Sequence, residues 1–175
     1  MYIVGVKNPH KDFKFPMKSL RPGKKHLRQI LEKHTDDKYY LSQRLYETLM
    51  AHKERHAAKG SGFGCEVVSP DGVSNTIVCG NMGRERNLIQ DRPISVNKWG
   101  VRKLTERECA RLQGFPDTFK IPVSTSQAYK QFGNAVSVPV AKEVARRLKL
   151  YLRQQDKLNR GKPSSITMPS LSYSL

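Results

Sequence analysis

The run Leu104-Thr105-Glu106-Arg107-Glu108-Cys109-Ala110-Arg111-Leu112-Gln113-Gly114-Phe115-Pro116, followed by Gln127-Ala128-Tyr129-Lys130-Gln131-Phe132-Gly133-Asn134-Ala135-Val136-Ser137-Val138-Pro139, decides how this chain is read. Thr105 and Glu108 have the spacing of a capping box, so a helix starts behind Thr105 and stops at Gly114. Ser124 and Gln127 repeat the arrangement before a second short helix ending at Gly133. Ser137 can cap a third, with Pro139 tolerated in its first turn. That third helix places Val140, Val144, Leu148 and Leu152 on one stripe and Lys142, Arg146, Arg147, Lys149 and Arg153 outside it. Between the second and third helices stands Gly133-Asn134-Ala135-Val136. Glycine permits close backbone approach, asparagine offers a donor and an acceptor, and alanine leaves room. The residues alone leave two readings open there: an approach site for a ligand or partner, or a helix C-cap with an Asn turn.

Upstream, Met1 to Val6 is a short apolar run that reads as a buried strand. Pro9, Pro16, Pro22 and Gly23 mark a loop. Lys24 to His34 carries Leu27, Ile30 and Leu31 at helical spacing. Ser42 reads as the N-cap of a helix with Leu45, Tyr46 and Leu49 on one side, running to about Lys59 and ending at Gly60-Ser-Gly-Phe-Gly64. Cys65 to Ser69, Pro70-Asp71-Gly72 and Ser74 to Cys79 read as strand, turn and strand, a hairpin. Residues 80–100 read as an exposed loop around Arg84-Glu85-Arg86, with a short strand near Ile94 to Val96. From about Asp156 the Ser-, Pro- and Lys-rich sequence is expected to be disordered.

The chain has 175 residues and a formal net charge of +17. Its pI is about 10.0 and its mean hydropathy −0.63. Such an excess of Lys and Arg favours a polyanionic partner, nucleic acid first. No apolar run approaches the ~20 residues of a membrane span. Cys65, Cys79 and Cys109 form no CxxC pair, and their odd number argues against a closed disulfide framework, so reduced thiols in the cytoplasm are expected. His52 and His56 stand at i, i+4 but lack a matching ligand pattern, so a solvated helix face is preferred and no metal site is assigned.

The two runs quoted first closely resemble motifs IX and X of the DNA (cytosine-5) methyltransferases, in the family's order and at its usual short spacing. Tyr2-Ile-Val-Gly5 resembles the tail of the motif VIII strand. The resemblance implies that Asn134, Ala135 and Val136 line one wall of an S-adenosylmethionine pocket. It implies a structural role for Arg107, Glu108, Arg111, Gln113, Gly114 and Gly133, with Arg107, Glu108 and Arg111 organising the packing of the recognition domain. The family's variable target recognition domain precedes motif IX and carries a Thr followed by an aliphatic residue, a pattern that Thr76-Ile77 fits. That Thr is expected beside the DNA backbone. Arg84 and Arg86 are then candidates to read guanine, since Arg can bond O6 and N7 together; an ion-pair patch is the other reading of that cluster. Arg92 and Lys98 are candidates for phosphate.

None of the cysteines follows a proline, so the family's Pro-Cys nucleophile is missing from this sequence, as are its Glu-Asn-Val motif and its Gly-rich cofactor motif. In the family a thiolate attacks C6 of an extruded cytosine before C5 takes the methyl group. The resemblance therefore implies part of an enzyme: one chain of a natural two-chain enzyme, the product of a disrupted gene, or an excised piece. Met1 directly before the motif VIII remnant favours the first. The expected fold is α+β. Residues 1–7 form a strand remnant of the catalytic domain, and 8–100 form a small recognition domain with the hairpin. Residues 101–153 form the motif IX and X helices, which complete a partner's doubly wound core, and 154–175 form a tail. The expected partners are double-stranded DNA and a catalytic subunit carrying Pro-Cys and Glu-Asn-Val; no membrane is involved. The expected setting is bacterial restriction-modification. A catalytically silent, sequence-specific DNA-binding module is the alternative, and an RNA-associated basic protein a more remote one.

Overall fold

The computed structural model describes residues 3–7, 11–15, 26–62, 64–78, 84–95 and 97–160, and of Arg84 the backbone alone. The chain divides into two units, Arg21–Ala141 and Met1–Leu20 with Lys142–Leu175.

The larger unit is built on a small mixed sheet. Strand β1 (Val67–Val68) runs parallel to β2 (Leu88–Gln90), and β2 runs antiparallel to β3 (Val101–Arg102). Side chains alternate across a sheet, so adjacent residues serve different cores. Leu88 and Val101 face a cluster with Leu41 and Cys65, onto which Tyr46, Leu49 and Met50 of helix α1 (Gln43–Ala57) pack. Ile89 and Val68 face a second cluster with Leu27, Leu104, Cys109, Ala128, Tyr129 and Phe132. That second cluster draws on helices α2 (Glu106–Leu112) and α3 (Thr125–Asn134). The sheet thus lies between α1 and the α2–α3 pair. Residues on both sides of position 100 share these cores.

The helix starts follow the local signals. The Ser42 hydroxyl accepts from Leu45 N at 3.2 Å, and α1 gives way to Gly60, whose φ is +72°. Thr105 and Glu108 form the reciprocal capping box, and Ser124 caps α3 through Gln127 N. Helix α4 (Val138–Arg160) starts in the larger unit and continues in the smaller. It runs to Arg160, past the expected onset of disorder near Asp156. In the smaller unit Phe13 stacks edge-on against Tyr151 at 5.7 Å, and the Tyr151 hydroxyl donates to Lys11 O at 2.5 Å.

Four expectations are corrected. The hairpin does not form: its turn does, with Gly72 N donating to Ser69 O at 2.8 Å, but residues 74–78 make no ladder with β1, which pairs with β2 instead. Asn75 is held by the side chain of Asn87, which removes the need for a strand partner. Within 24–34 the described backbone forms one 3-10 turn, Leu27–Gln29, and no α-helix. Its first N–H groups are spent on the loop, Leu27 N on Gly72 O at 3.0 Å and Arg28 N on Pro70 O at 2.7 Å. Residues 3–7 carry no strand, and Met1 and Tyr2 lie outside the described residues. The short strand near Ile94 is a single bridge, Ile94 to Asn97.

Alternation on β3 sends Val101 into one core and Arg102 toward the other, where α2 meets it. Arg102 is 1% and Glu108 0% exposed. Arg102 donates from Nη1 to Glu108 Oε2 at 2.8 Å, from Nη2 to Oε1 at 3.0 Å, and from Nε to Asp91 Oδ2 at 2.6 Å. Glu108 also accepts from Thr105 N at 2.8 Å and Glu32 N at 2.9 Å. Burial disfavours the guanidinium charge, but the bonds to Glu108 and Asp91 outweigh it and raise the Arg102 pKa. Burial likewise acts to raise the Asp91 carboxyl, and the Arg102 bond, the Arg92 amide and the Arg102 charge overcome it, leaving the pKa lowered.

Glu108→Ala strands a buried cation and should cost about 3–5 kcal/mol in urea unfolding; a loss under about 1 kcal/mol would mean that the network contributes little. Asp91 holds its proton less tightly folded than unfolded. Its contribution is therefore full above the unfolded value of about 3.9 and is lost as pH falls through the depressed folded one. Asp91→Asn should flatten the acid limb of a stability–pH profile, and an unchanged limb would place that acid sensitivity elsewhere.

Candidate functional site

The site begins where α2 ends. Gly114 has φ +84°, and a Cβ there would stand 2.5 Å from Pro139 Cδ and 2.9 Å from Cγ. The hydrogen is thus required both by the left-handed turn and by the proline of the last motif. Gln113 closes the junction from both sides: its carbonyl accepts from Val138 N at 2.8 Å, and its Nε2 donates to Phe132 O at 2.8 Å. The Phe132 carbonyl lies in the last turn of α3, where intrahelical partners run out. Residues 133–137 are therefore tied down at each end by one glutamine.

On that tethered segment Asn134 is exposed, Ala135 is extended at φ −69° and ψ 145°, and Val136 is 53% exposed. Gly133 is half-buried between them and the Phe132 core. The exposed amide of Asn134 and the exposed branched side chain of Val136 can meet a ligand bearing polar and apolar parts, provided that other groups supply the rest of its site.

Arg107 and Arg111 shape the adjoining turn. Arg107 Nη2 donates to Phe119 O at 2.8 Å. Arg111 grips Asp117 through Nε at 2.7 Å and Nη2 at 2.8 Å, while its Nη1 reaches Ile30 O at 3.0 Å. These bonds hold Phe115 and Phe119, whose rings lie 5.6 Å and 6.4 Å from that of Phe132.

The residues assigned to DNA stand on two scaffolds that β2 joins. Thr76 is exposed, and Ile77 beside it packs on the second core cluster. Arg86 is exposed in the 3-10 turn Arg84–Asn87. The Arg84 side chain lies outside the described residues. The structure brings Thr76 and Arg86 onto neighbouring segments, since Asn75 Nδ2 donates to Arg86 O at 2.9 Å. Arg92 and Lys98 lie exposed on the turn after β2, with Lys98 Nζ 5.3 Å from the Trp99 ring centroid. Buried Asn97 pins that turn, donating to Leu41 O at 2.7 Å and Val101 O at 3.1 Å and accepting from Trp99 N at 2.8 Å.

Sequence reasoning passed over Arg102, Asp91, Glu32, Asn87 and Asn97 as parts of this scaffold. Arg102 stands two residues before the first quoted run, and a charge at an inward strand position is a readable signal. The two asparagines read as ordinary loop residues, and no spacing marks their partners. Cys65 and Cys109 are buried free thiols, and burial pushes both above the ordinary thiol range. Among the described residues no group of His, Cys, Asp or Glu is placed to hold a metal. None of the described helices is long and apolar enough to cross a membrane.

Residues 1–150 match the family model described as C-5 cytosine-specific DNA methylase. The chain is 51% identical over 128 residues to the Type II methyltransferase M.HpaII of Haemophilus parainfluenzae, covering 67% of this chain and 36% of that protein. It is 37% identical over 156 residues to M.NlaX of Neisseria lactamica, covering 87% and 47%. The crystal structure of Dnmt2 methyltransferase from S. pombe aligns with a TM-score of 0.56 at 21% identity, over 78% of this chain and 44% of that one, a likeness of fold. The chain spans roughly a third to a half of the length of these proteins.

The close fit at the junction can be tested directly. Gly114→Ala places a methyl inside contact distance of Pro139 and strains a left-handed turn, so it should destabilise the fold by about 1–3 kcal/mol. Thermal unfolding reads this, and an unchanged midpoint would show that the α2–α4 junction yields freely.

Proposed function

Because the chain belongs to the C-5 cytosine-specific DNA methylase family, we propose that it is the DNA-recognition part of a DNA (cytosine-5) methyltransferase. In this reading it also contributes one wall of the S-adenosylmethionine site, and a catalytic chain or segment outside this sequence provides the rest. The observation that supports the reading most is the junction of Gln113, Gly114 and Pro139, which tethers the segment of Asn134, Ala135 and Val136 with Asn134 and Val136 exposed.

The division of labour follows from the side chains. S-adenosylmethionine, when bound, supplies the methyl group. Asn134 offers its amide to the polar part of that molecule, while Ala135 and Val136 give it an apolar surface. Thr76 meets the DNA backbone and Arg86 reaches for a base, with Arg84 as a second candidate reader. Arg92 and Lys98 add phosphate contacts, whose energy comes largely from counterion release and weakens with salt. The nucleophile is assigned to the catalytic partner. Cys65 and Cys109 are buried with thiols held protonated, which suits packing and not attack. Cys79 lies outside the described residues and follows Val78, not proline. The relatives are Type II methyltransferases, which supports a place in bacterial restriction-modification, in the cytoplasm on DNA. Completion of the doubly wound core by this chain's helices belongs to the same proposal.

The test is co-expression with a catalytic chain that carries Pro-Cys and Glu-Asn-Val, read as transfer of labelled methyl to DNA. Transfer with both chains and none with either alone is expected. A well-folded complex without transfer would leave a silent DNA-binding module in its place. In the active complex Asn134→Ala should weaken S-adenosylmethionine binding about fivefold, the loss of one good hydrogen bond; unchanged binding and turnover would remove Asn134 from the site.

A further inference from the structure

We propose that Asn87 is a positioning residue for DNA recognition, a clamp that fixes Thr76 relative to Arg86. The proposal rests on the recognition role given above and adds a residue to it. Asn87 is 3% exposed at the end of the turn that carries Arg86. Its Oδ1 accepts from Asn75 N at 2.8 Å and its Nδ2 donates to Asn75 O at 3.2 Å. One amide thus takes both backbone groups of Asn75, as a neighbouring strand would. Asn75 returns the contact: its Nδ2 donates to Arg86 O at 2.9 Å and to Glu66 Oε2 at 2.8 Å.

The ring closes on the sheet. Glu66 N donates to Glu85 O at 2.9 Å, and its carbonyl accepts from Leu88 N at 2.9 Å. Ile77 is anchored in the core on the far side of Thr76. Thr76 and Arg86 each stand one residue from a clamp asparagine, both are exposed, and neither lends its side chain to the clamp. Two DNA contacts on separate segments act together only when their separation is fixed; otherwise each pays its own ordering cost on binding. A buried amide that satisfies both main-chain polar groups of one residue fixes it, and the alternative leaves the Asn75 N–H and carbonyl without that partner. Asparagine is suited because it both donates and accepts. Aspartate in the same shape accepts from Asn75 N but cannot donate to Asn75 O.

The test retains a pool of random duplexes on the full chain, alone and with the catalytic chain, and sequences what is kept. Wild-type protein should enrich a defined sequence. Asn87→Ala should lower that enrichment about tenfold, in the range of one lost base contact, while retention of unselected duplex and its salt dependence stay as they were. Asn87→Asp, which keeps the size and one bond, serves if the alanine variant does not fold, and should fall between. The decisive readout is coupling. Thr76→Ala and Arg86→Ala should be non-additive in the wild type and additive in the Asn87 variant. Equal enrichment in wild type and both Asn87 variants, or coupling that survives them, overturns the clamp while leaving the recognition reading intact. A wild-type chain that retains DNA in both settings but enriches no sequence overturns the recognition reading, and the clamp with it.

Discussion

Arg102 and Glu108 are oppositely charged side chains sealed from water, and the larger unit is arranged around satisfying them. A carboxylate in that position would be untenable with a single partner. It has four donors, two from one guanidinium and two from backbone amides of Thr105 and Glu32. Each donor comes from a piece of chain that must therefore be in place: β3, the start of α2, and the segment after the Leu27 turn. The third arm of Arg102 reaches Asp91 and orders the turn bearing Arg92 and Lys98. Glu108 is also the N3 residue of the capping box, so one side chain starts a helix and joins it to the sheet. Such a pair adds little net stability over an apolar replacement. What it provides here is register: sliding β3 by one residue would turn Arg102 into the cluster of Leu41, Cys65 and Leu88 and take it from Glu108.

The second organising contact lies at the other end of α2. Gln113 and Gly114 join the helix to the segment that follows α3, so the two motifs form one mechanical piece although a turn and the start of α3 separate them in sequence. The capping box sets where α2 starts, the left-handed glycine sets where it ends, and the helix between them is a spacer of fixed length. Strand β3 and the segment from Gly133 to Ser137 are thereby tied to the same short helix.

What the sequence made legible was local. The starts of α1, α2 and α3 follow from Ser42, Thr105 and Ser124, because a cap and its target lie within one turn. The ends at Gly60 and Gly114 follow for the same reason. What failed was pairing at a distance. Ser74 to Val78 has the alternation of a strand, but its backbone is captured at Asn75 by Asn87, and β1 finds Leu88–Gln90 instead. Leu27, Ile30 and Leu31 have helical spacing, but the amides that would open the helix bond the Pro70–Gly72 turn. A three-residue strand inside a polar stretch, β2, gives no periodic signal at all. Of the candidate site, the exposed residues were named through their motifs. The buried polar residues that hold them were not, since a buried asparagine and a loop asparagine look alike in a sequence.

The Gln113–Gly114–Pro139 junction also governs where this polypeptide tolerates interruption. A chain can be cut, permuted or extended only where the two new ends need not stay in contact. Between Thr105 and Pro139 every segment is held at both ends by something across the junction, so a break there separates groups that must touch. A cut inside this block is therefore incompatible with its packing. The two motifs travel together as one inheritable block.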